Sequence, residues 1–434
     1  MVLKRIIIGL VAPVVLGVVA ITALAWSLAI APIHRPLPGS FAPADVARGA
    51  ILAAVGNCAT CHTSRHGAPL AGGLAIRTSF GIIYSTNITP DPATGIGTWS
   101  VSAFRRAMHR GIARDGSQLY PAFPYDHFTL LSDADVYALY AYLMTRPPVD
   151  APAKVDGLPF PLDIRALQAG WKLLYFHAGR FQPSTEHDAE WNRGAYLAEA
   201  LGHCGACHTP RNALGAEKRG HAYAGAAIDG WFAPPLTAAN PSPVPWTTAE
   251  LDAYLGSGLS PLHGSADGPM ASVVHQGLPK LSRADLQAIV VYVETLGDGD
   301  SRAAATAPAI AKALAADRVD VGATDDADAR LYTAACASCH YNARTVSNPD
   351  RPDLALNSAL YLEDPTNLIQ VILYGVSAHE GARGIVMPAF GAGFSNADVA
   401  RIAAYLRRTR TNLGPWPDLE NKVSAIRARG PGET

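Results

Sequence analysis

Three copies of one short motif constrain this chain more than any other feature. All six cysteines occur in pairs, the members of each pair are separated by two residues, and a histidine follows each pair directly. The motifs occupy residues 58–62, 204–208 and 336–340, so that they start 146 and 132 residues apart. Because no cysteine lies outside the motifs, a disulfide framework is not indicated.

The pattern Cys-x-x-Cys-His matches the covalent attachment of haem. Two thiols on one helical turn can add to the two vinyl groups of one haem, and the following histidine then points at the iron as its proximal ligand. A zinc site would need two further ligands for each pair, and a thioredoxin-type redox pair needs no trailing histidine. We therefore predict three covalently bound haem c groups, attached at Cys58, Cys61, Cys204, Cys207, Cys336 and Cys339 and ligated by His62, His208 and His340.

The sequence around the motifs also repeats. Before the first two motifs, Arg48-Gly49 and Arg193-Gly194 open apolar runs that end at the cysteines, while the third copy is looser. After each motif, a serine precedes an acidic residue by three positions and a tyrosine by ten, which indicates a capped helix. The serines are Ser132, Ser282 and Ser395, and the tyrosines are Tyr142, Tyr292 and Tyr405. The repeats indicate three copies of one small helical domain.

These repeats divide the chain into segments. We predict a membrane anchor at 1–41, cytochrome c domains at 42–147, 188–299 and 322–412, a Pro-rich connector at 148–187, an Ala-rich linker at 300–321, and a tail at 413–434 that forms an extended arm. The connector contains the apolar stretch 169–176, which either fills a seam between domains or touches the membrane surface or a partner. The expected fold class is mostly α, with three tandem class I cytochrome c domains behind one N-terminal transmembrane helix.

The amino-terminal residues predict this anchor. Lys4 and Arg5 precede the stretch 6–33, which contains no charged residue. A secretory signal has an apolar region of about 7–15 residues, whereas a spanning helix needs about 20. We therefore expect a retained single-pass helix with Trp26 near the outer interface. Since positive residues stay inside, the haem domains would lie on the periplasmic side of the inner membrane.

A count along the repeats suggests the sixth ligands of the irons. Each repeat has a helix that ends in glycine, at Gly111, Gly258 and Gly375, and the last two glycines are followed after twelve residues by Met270 and Met387. Electron-transfer haems of the c type commonly carry a distal methionine, so haems two and three are predicted to be His/Met centres. The same count from Gly111 reaches Phe123, which cannot ligate iron.

The sixth ligand of haem one stays open at this stage. His127, four residues beyond Phe123, is favoured because a small loop shift would bring it to the iron. The alternatives are Met108 and Met144, which would otherwise fill the core, and an open or water-bound iron. A bis-histidine centre would have a lower potential than its neighbours.

The charge balance and the remaining residues limit the classes of function that this chain can have. The chain has 35 Lys and Arg against 36 Asp and Glu, so it lacks the basic excess that nucleic-acid binding requires. It shows no catalytic signature, and the other histidines, including His109 and His263, are interpreted as surface or propionate-side residues. We expect an electron carrier without catalytic residues. The rival hypotheses are a multihaem peroxidase or reductase with an open iron at haem one, and a stand-alone cytochrome that links quinol to an oxidase.

Several longer stretches resemble one family. The segments YSTNITPD (84–91), GIGTW (95–99), LYPA (119–122), GHCGACHTPRN (202–212) and MPAF (387–390) are similar to the three-haem cytochrome c subunit of bacterial membrane-bound dehydrogenases. The resemblance covers 42–412 and implies that electrons pass from a catalytic subunit to membrane ubiquinone. The catalytic subunits of this family are quinoprotein alcohol dehydrogenases, flavoprotein sugar or gluconate dehydrogenases, or molybdenum hydroxylases that act on aldehydes or N-heterocycles.

Phe123 distinguishes between the branches of this family. The alcohol dehydrogenase branch usually has methionine at this position, whereas PAFPYDHF (121–128) is more similar to the molybdenum-linked branch. The resemblance therefore implies a molybdopterin catalytic partner of the aldehyde or N-heterocycle dehydrogenase type, together with a small [2Fe–2S] subunit.

Overall fold

The computed structural model describes residues 26–316, 325–340, 351–376 and 387–431, which are mostly helical. They form two compact units: the first contains the residues up to 183 with 199–203 and 213–216, and the second contains the others. Among the helices of these ranges, none combines the length and the apolar character that crossing a membrane requires. Most of the predicted anchor, residues 1–25, lies outside the described residues.

The first unit is built, in its described part, from short helices and a β-hairpin. Its helices are α1 (Pro43–Val55), α2 (Cys58–His62), α3 (Val101–Arg110), α4 (Tyr125–Phe128), α5 (Asp133–Met144) and α6 (Gln168–Tyr175). Strands β1 (Ala75–Thr78) and β2 (Gly81–Tyr84) pair antiparallel, with Ala75 opposite Tyr84. The core lies between α1, α3 and α5, where Leu139, Tyr140 and Met144 are almost fully buried.

The second unit repeats this arrangement and extends it. Its helices are α7 (Ala189–Tyr196), α8 (Cys204–His208), α9 (Thr248–Ser257), α10 (Pro269–Ser272), α11 (Arg283–Gly297), α12 (Thr306–Ala316), α13 (Ala327–Ala335), α14 (Ala337–His340), α15 (Thr366–Tyr374), α16 (Asn396–Arg410) and α17 (Leu419–Arg429). Its hairpins pair β3 (Ala226–Ile228) with β4 (Trp231–Ala233), and β5 (Leu259–Ser260) with β6 (Gly264–Ser265).

The predicted helix caps are confirmed in all three repeats. The serine side chain accepts a hydrogen bond of 3.1 Å from the backbone N–H of the acidic residue three positions later, in the pairs Ser132–Asp135, Ser282–Asp285 and Ser395–Asp398. The three glycines that were predicted to end helices do so, because Gly111, Gly258 and Gly375 are the C-caps of α3, α9 and α15 and have positive φ angles. Glycine adopts such angles without strain.

The first two repeats share one close helix crossing. Gly49 of α1 packs on the backbone of α5 so closely that a Cβ at this position would overlap the carbonyl of Ala138. Gly194 of α7 meets Ala288 of α11 in the same way. Only glycine permits this approach of two backbones, so the repeated Arg-Gly in the sequence marks the crossing of the first and last helices of each repeat.

The second repeat is one residue longer than the first between the crossing glycine and the cysteine motif. Nine residues lead from Gly49 to Cys58, but ten lead from Gly194 to Cys204. The chain absorbs the additional residue in a π-helical turn at Leu197–Leu201, directly after α7. A π-turn of this kind is the usual result of a single insertion into an α-helix, and it keeps both ends of the helix in place.

The carboxyl-terminal tail differs from its prediction. Instead of an extended arm, it forms helix α17, which packs against α15 and α16. Leu419, Val423 and Ile426 are buried in that contact, and their spacing of four and three residues places them on one helical face. The prediction was wrong because this apolar stripe is short and is separated from the third repeat by the Pro-containing stretch 412–418.

The connector and the linker are both partly ordered as helices. The connector residues up to 183 belong to the first unit. There the rings of Trp171 and Phe176 lie edge-on to Tyr125, with centroid distances of 6.3 and 5.1 Å. The linker contains a 3-10 turn at Asp300–Ala305 followed by α12, whose Ala313 is buried.

Candidate haem sites

All six cysteines are in the thiol form. None of them forms a disulfide bond, and among the described residues none belongs to a cluster of three or more potential metal-ligating side chains. Burial raises the pKa of the Cys58 thiol to about 12 and that of Cys336 to about 11, and the second thiol of each motif adds to the effect. These two thiols therefore differ from reactive cysteines, whose pKa values are lowered.

The first motif histidine is held by a backbone carbonyl. The hairpin of β1 and β2 ends at Tyr84, and two residues later the carbonyl oxygen of Thr86 lies 2.7 Å from Nδ1 of His62. A carbonyl can only accept a hydrogen bond, so Nδ1 must carry the proton. The lone pair of the neutral imidazole is then on Nε2, the ligand arrangement in which a backbone acceptor orients a metal-bound histidine.

The other two motif histidines are held in the same way. Nδ1 of His208 lies 2.7 Å from the carbonyl oxygen of Pro234, directly after β4, and Nδ1 of His340 lies 3.2 Å from that of Pro352. Burial of the ring lowers the pKa of His62, of His208 and of His340, while the carbonyl bond opposes the shift. The protein therefore keeps three neutral imidazoles, the form that binds iron.

Two glycines bond to the backbone of the first two motif histidines. The backbone N–H of Gly72 donates to the carbonyl of His62 at 2.7 Å, and that of Gly225 donates to the carbonyl of His208 at 2.8 Å. Both glycines have positive φ angles, 75° and 84°. A Cβ at position 72 would overlap the backbone of Thr86, which is the residue that holds His62. The conformation of the holding loop therefore depends on glycine at this point.

The segment of Met270 lies against the strand that positions His208. Gly268 begins the turn into α10 with a φ of 58°, and it packs so closely on the Trp231 ring that a Cβ would overlap it. Trp231 is the first residue of β4 and lies three residues before Pro234. The β3–β4 hairpin therefore contacts the Met270 segment through Trp231, and the residue that follows it, Pro234, holds His208.

Met387 is positioned by the end of α15. Its backbone exchanges two hydrogen bonds of 3.0 Å with Val376, which directly follows the C-cap Gly375. A Cβ at Gly375 would overlap the Met387 carbonyl, so the glycine allows this pairing as well.

The candidates for the sixth ligand of haem one occupy different places. His127 lies in α4, its Nδ1 is 2.8 Å from the carbonyl oxygen of Glu199, and its ring centroid is 6.5 Å from that of His203. Met108 and Met144 are buried in the core of the first unit. Phe123, at the position where the other repeats have methionine, packs on the ring of Phe128 at 5.3 Å. His127 is thus bonded through the same nitrogen as the three motif histidines.

Two histidines that were interpreted as surface or propionate-side residues are buried. His109 of α3 and His263 of the β5–β6 hairpin are only 4% and 5% exposed. Burial lowers the pKa of each to about 4. The ring of His263 stacks on Trp246, with centroids 3.6 Å apart and planes inclined by 11°. Burial excludes the surface interpretation for both rings, and the propionate-side interpretation stays a prediction.

Sequence reasoning missed the residues that hold the motif histidines. Thr86, Pro234 and Pro352 act through their backbone carbonyls, so their side-chain type carries no signal. The first two follow their histidines by 24 and 26 residues, and the third by only 12.

Comparison with known proteins agrees with these sites. A cytochrome c family model matches residues 46–147, and a model described as cytochrome C oxidase, cbb3-type, subunit III matches residues 323–406. The chain is 40% identical to the fructose dehydrogenase cytochrome subunit of Gluconobacter japonicus, over 86% of this chain and 80% of that protein. It is 37% identical to the gluconate 2-dehydrogenase cytochrome c subunit of Pantoea cypripedii, over 88% and 89%.

A third relative is longer than this chain. A nicotinate dehydrogenase subunit of Pseudomonas putida is 45% identical over 419 residues, which are 95% of this chain. These residues are 34% of that protein, so the chain spans about a third of the length of this relative.

Proposed function

Because the chain belongs to the cytochrome c subunits of membrane-bound dehydrogenases, we propose that it carries three haem c groups and passes electrons from a catalytic subunit to ubiquinone. It is an electron-transfer subunit of a dehydrogenase complex. The observation that supports three haems is the hydrogen bond from Nδ1 of each motif histidine to a backbone carbonyl, which recurs at His62, His208 and His340.

The residues at each haem site have different roles. Haem iron, when bound, supplies the one-electron chemistry. The paired cysteines attach the group, and the motif histidine is held neutral and oriented by its carbonyl acceptor. The surrounding packing would set the potential of each bound haem. The chain supplies binding and orientation, and it contributes no substrate chemistry of its own.

The sixth ligands follow from the repeat count. We assign Met270 to haem two and Met387 to haem three. For haem one we favour His127, because Glu199 holds its Nδ1 at 2.8 Å in the manner of the motif histidines. The alternatives are an open or water-bound iron and the two methionines Met108 and Met144, which would have to leave positions in the core of the first unit.

The catalytic partner that we favour is a molybdopterin enzyme accompanied by a small [2Fe–2S] subunit. The 45% identity to the nicotinate dehydrogenase subunit supports this choice, because nicotinate is an N-heterocycle and Phe123 resembles the branch that acts on aldehydes and N-heterocycles. The substrate would then be oxidised on the partner, and this chain would receive the electrons one at a time.

A flavoprotein sugar dehydrogenase is the second candidate. This chain covers 80% of the fructose and 89% of the gluconate dehydrogenase cytochrome subunits, but 34% of the nicotinate dehydrogenase subunit. The identities of 40% and 37% to these two subunits support a partner of the sugar or gluconate type, whereas the higher identity of 45% favours the N-heterocycle type.

The location that we propose is the periplasmic face of the inner membrane. The uncharged stretch 6–33 behind Lys4 and Arg5 supports a single N-terminal anchor. Electrons would then leave the haem domains at the membrane, where ubiquinone is dissolved.

The experiment is to solubilise the native membrane in mild detergent, isolate this chain and assay what co-purifies. Molybdenum with iron–sulfur signals would support the first candidate, and flavin would support the second. Pyrroloquinoline quinone would move the partner to the alcohol dehydrogenase branch. If no dehydrogenase co-purified, even after crosslinking, the proposal of a catalytic partner would be wrong.

A further inference from the structure

Two charged side chains are buried in the third repeat. Asp353 follows Pro352, whose carbonyl holds His340, and Arg410 is the last residue of α16. Both charged residues are only 4% exposed. Aspartate and arginine are almost never buried to this extent unless other groups compensate their charge. Neither residue has a role in the haem sites described above, so their burial beside the histidine loop needs another explanation.

A tight turn fixes the carboxylate of Asp353. Its Oδ1 accepts a hydrogen bond of 2.9 Å from the backbone N–H of Ala355. The first repeat has the same turn, because Asn87 follows the holding residue Thr86 and accepts through Oδ1 from the N–H of Thr89 at 2.9 Å. Asn87 is also 4% exposed. The third repeat therefore places a carboxylate where the first repeat has a neutral amide.

Two tyrosines place Arg410 near the same turn. The hydroxyl oxygen of Tyr361 lies 2.8 Å from the carbonyl oxygen of Ala355 and 3.3 Å from that of Arg410. The guanidinium carbon of Arg410 lies 5.5 Å from the ring centroid of Tyr332, whose hydroxyl oxygen is 3.5 Å from the carbonyl oxygen of His340. The end of α16 therefore adjoins both the turn and the backbone of the motif histidine.

These charges act on each other and on the motif histidine. Burial raises the pKa of the Asp353 carboxyl, while the bond from Ala355 and the charge of Arg410 oppose this shift. Burial lowers the pKa of the His340 ring, and the Asp353 carboxylate opposes that shift. Arg351 strengthens the lowering, but it is exposed, where water and salt screen its charge. A carboxylate that stabilises positive charge on the ring also stabilises the oxidised iron bound to it, since ferric iron carries one more positive charge than ferrous iron.

The first two repeats have uncharged residues at the equivalent positions. The residue after the holding carbonyl is Asn87 in the first repeat and Pro235 in the second. Fifteen residues after the capping serine, where the third repeat has Arg410, the other two have Pro147 and Gly297. The two charges therefore distinguish the third site from the others.

We propose that Asp353 and Arg410 set the potential of haem three, the carboxylate by lowering it and the guanidinium by raising it. This inference rests on the proposed function, because it requires a haem bound at His340. Charges interact more strongly in the protein interior than in water, so two buried side chains act on the iron with little screening. The third site thus has a means of adjusting its potential in addition to its axial ligands.

Single replacements test the two charges separately. Asp353→Asn removes the negative charge but keeps the Oδ1 acceptor of the turn, as Asn87 does in the first repeat. In a spectroscopic redox titration of the full-length chain with its haems, this variant should raise the potential of one haem. Arg410→Gln should lower the potential of the same haem. Arg410→Lys, which retains the charge, should stay near the unmodified protein.

Two surface variants are the controls. Arg408→Gln removes an exposed charge from the same helix, where it pairs with Asp326, and Asp418→Asn removes an exposed carboxylate. Both should leave all potentials unchanged. A merely structural role of the buried pair would shift the potential in the same direction in Asp353→Asn and Arg410→Gln, and that result would overturn the proposal. If Arg410→Gln did not fold, an unchanged or lowered potential in Asp353→Asn would overturn it alone.

The haem content of the unmodified chain keeps this inference apart from the proposed function. It is measured from the absorbance of the pyridine haemochrome, and peptide mapping shows which motifs carry haem. Three haems without opposite shifts in the two variants would leave the proposed function standing and would overturn the role of Asp353 and Arg410. Fewer than three haems would contradict the proposed function, and a third motif without haem would overturn this inference as well.

Discussion

Asn367 and Phe232 are joined by two hydrogen bonds, in which the side-chain amide of Asn367 pairs with the backbone of Phe232 as a neighbouring β-strand would. Oδ1 of Asn367 accepts from the backbone N–H of Phe232 at 2.8 Å, and its Nδ2 donates to the carbonyl of Phe232 at 2.8 Å. Phe232 is the middle residue of β4, and the carbonyl two residues later, that of Pro234, holds His208. A side chain on α15 of the third repeat thus supports the loop that orients the histidine of the second.

Replacing Asn367 with alanine should loosen that loop. Both backbone groups of Phe232 would lose a partner, which costs about 1–3 kcal/mol, and the potential of haem two should shift because His208 is less firmly oriented. Chemical unfolding and a redox titration measure the two effects. Asn421→Ala is the matched control, because Asn421 is an exposed asparagine that bonds only locally to Asp418. If both variants behaved alike, Asn367 would have no positioning role.

Gly72→Ala and Gly225→Ala should impair haem attachment at the first and second sites. Each alanine would have to adopt a left-handed conformation, at a cost of about 1–2 kcal/mol, and the one at position 72 would also collide with the backbone of Thr86. The haem content per chain, measured from the absorbance of the pyridine haemochrome, should fall. Gly170→Ala serves as the control, because a Cβ there meets nothing within 4 Å. Full haem content in all three variants would contradict the role of these glycines.

Met270→Ala and Met387→Ala should each change the potential of one haem and leave covalent attachment intact. Loss of a thioether ligand lowers the potential of a c-type haem, while the thiols of the motif are unaffected. A spectroscopic redox titration should show one component displaced in each variant. Titrations identical to that of the unmodified protein would mean that the twelve-residue count from Gly258 and Gly375 does not locate the ligands.

His127→Ala should convert one low-spin haem to the high-spin state, because its iron would lose a strong-field nitrogen ligand. The EPR spectrum reports this change directly, and the exposed His66→Ala variant should show none. An unaltered spectrum would exclude His127 as the ligand. Met108→Leu and Met144→Leu, which keep the core filled, would then identify a methionine ligand by the same measurement.

His263 should make stability depend on pH in the acid range. Burial lowers the pKa of this ring from 6.5 to about 4, so between these values the unfolded chain binds a proton that the folded chain does not. The free energy of unfolding therefore falls as the pH is lowered from about 6.5 to about 4, by up to about 1.4 kcal/mol per pH unit. His263→Phe keeps a ring on Trp246 and should flatten this dependence relative to the unmodified protein. His221→Phe, at an exposed position, should not change it.

Features that depend on a few neighbouring residues could be predicted from the sequence. The Cys-x-x-Cys-His pattern indicated haem attachment, Ser132 and its two counterparts marked helix starts, and Gly111 marked a helix end. In each case the interacting groups lie within one or two turns of the chain, so the local order of residues is sufficient. Repetition strengthened these predictions, because each signal occurred three times.

The sequence by itself thus determined the haem chemistry, the helical repeats and the family. Only the tertiary structure decided which carbonyls hold the motif histidines, that His109 and His263 are buried, that the tail forms α17, and that Asn367 supports Phe232 from 135 residues away. The physical reason is that these contacts join groups whose separation along the chain is large and variable. A backbone carbonyl carries no mark of residue type, and burial depends on which distant surfaces meet.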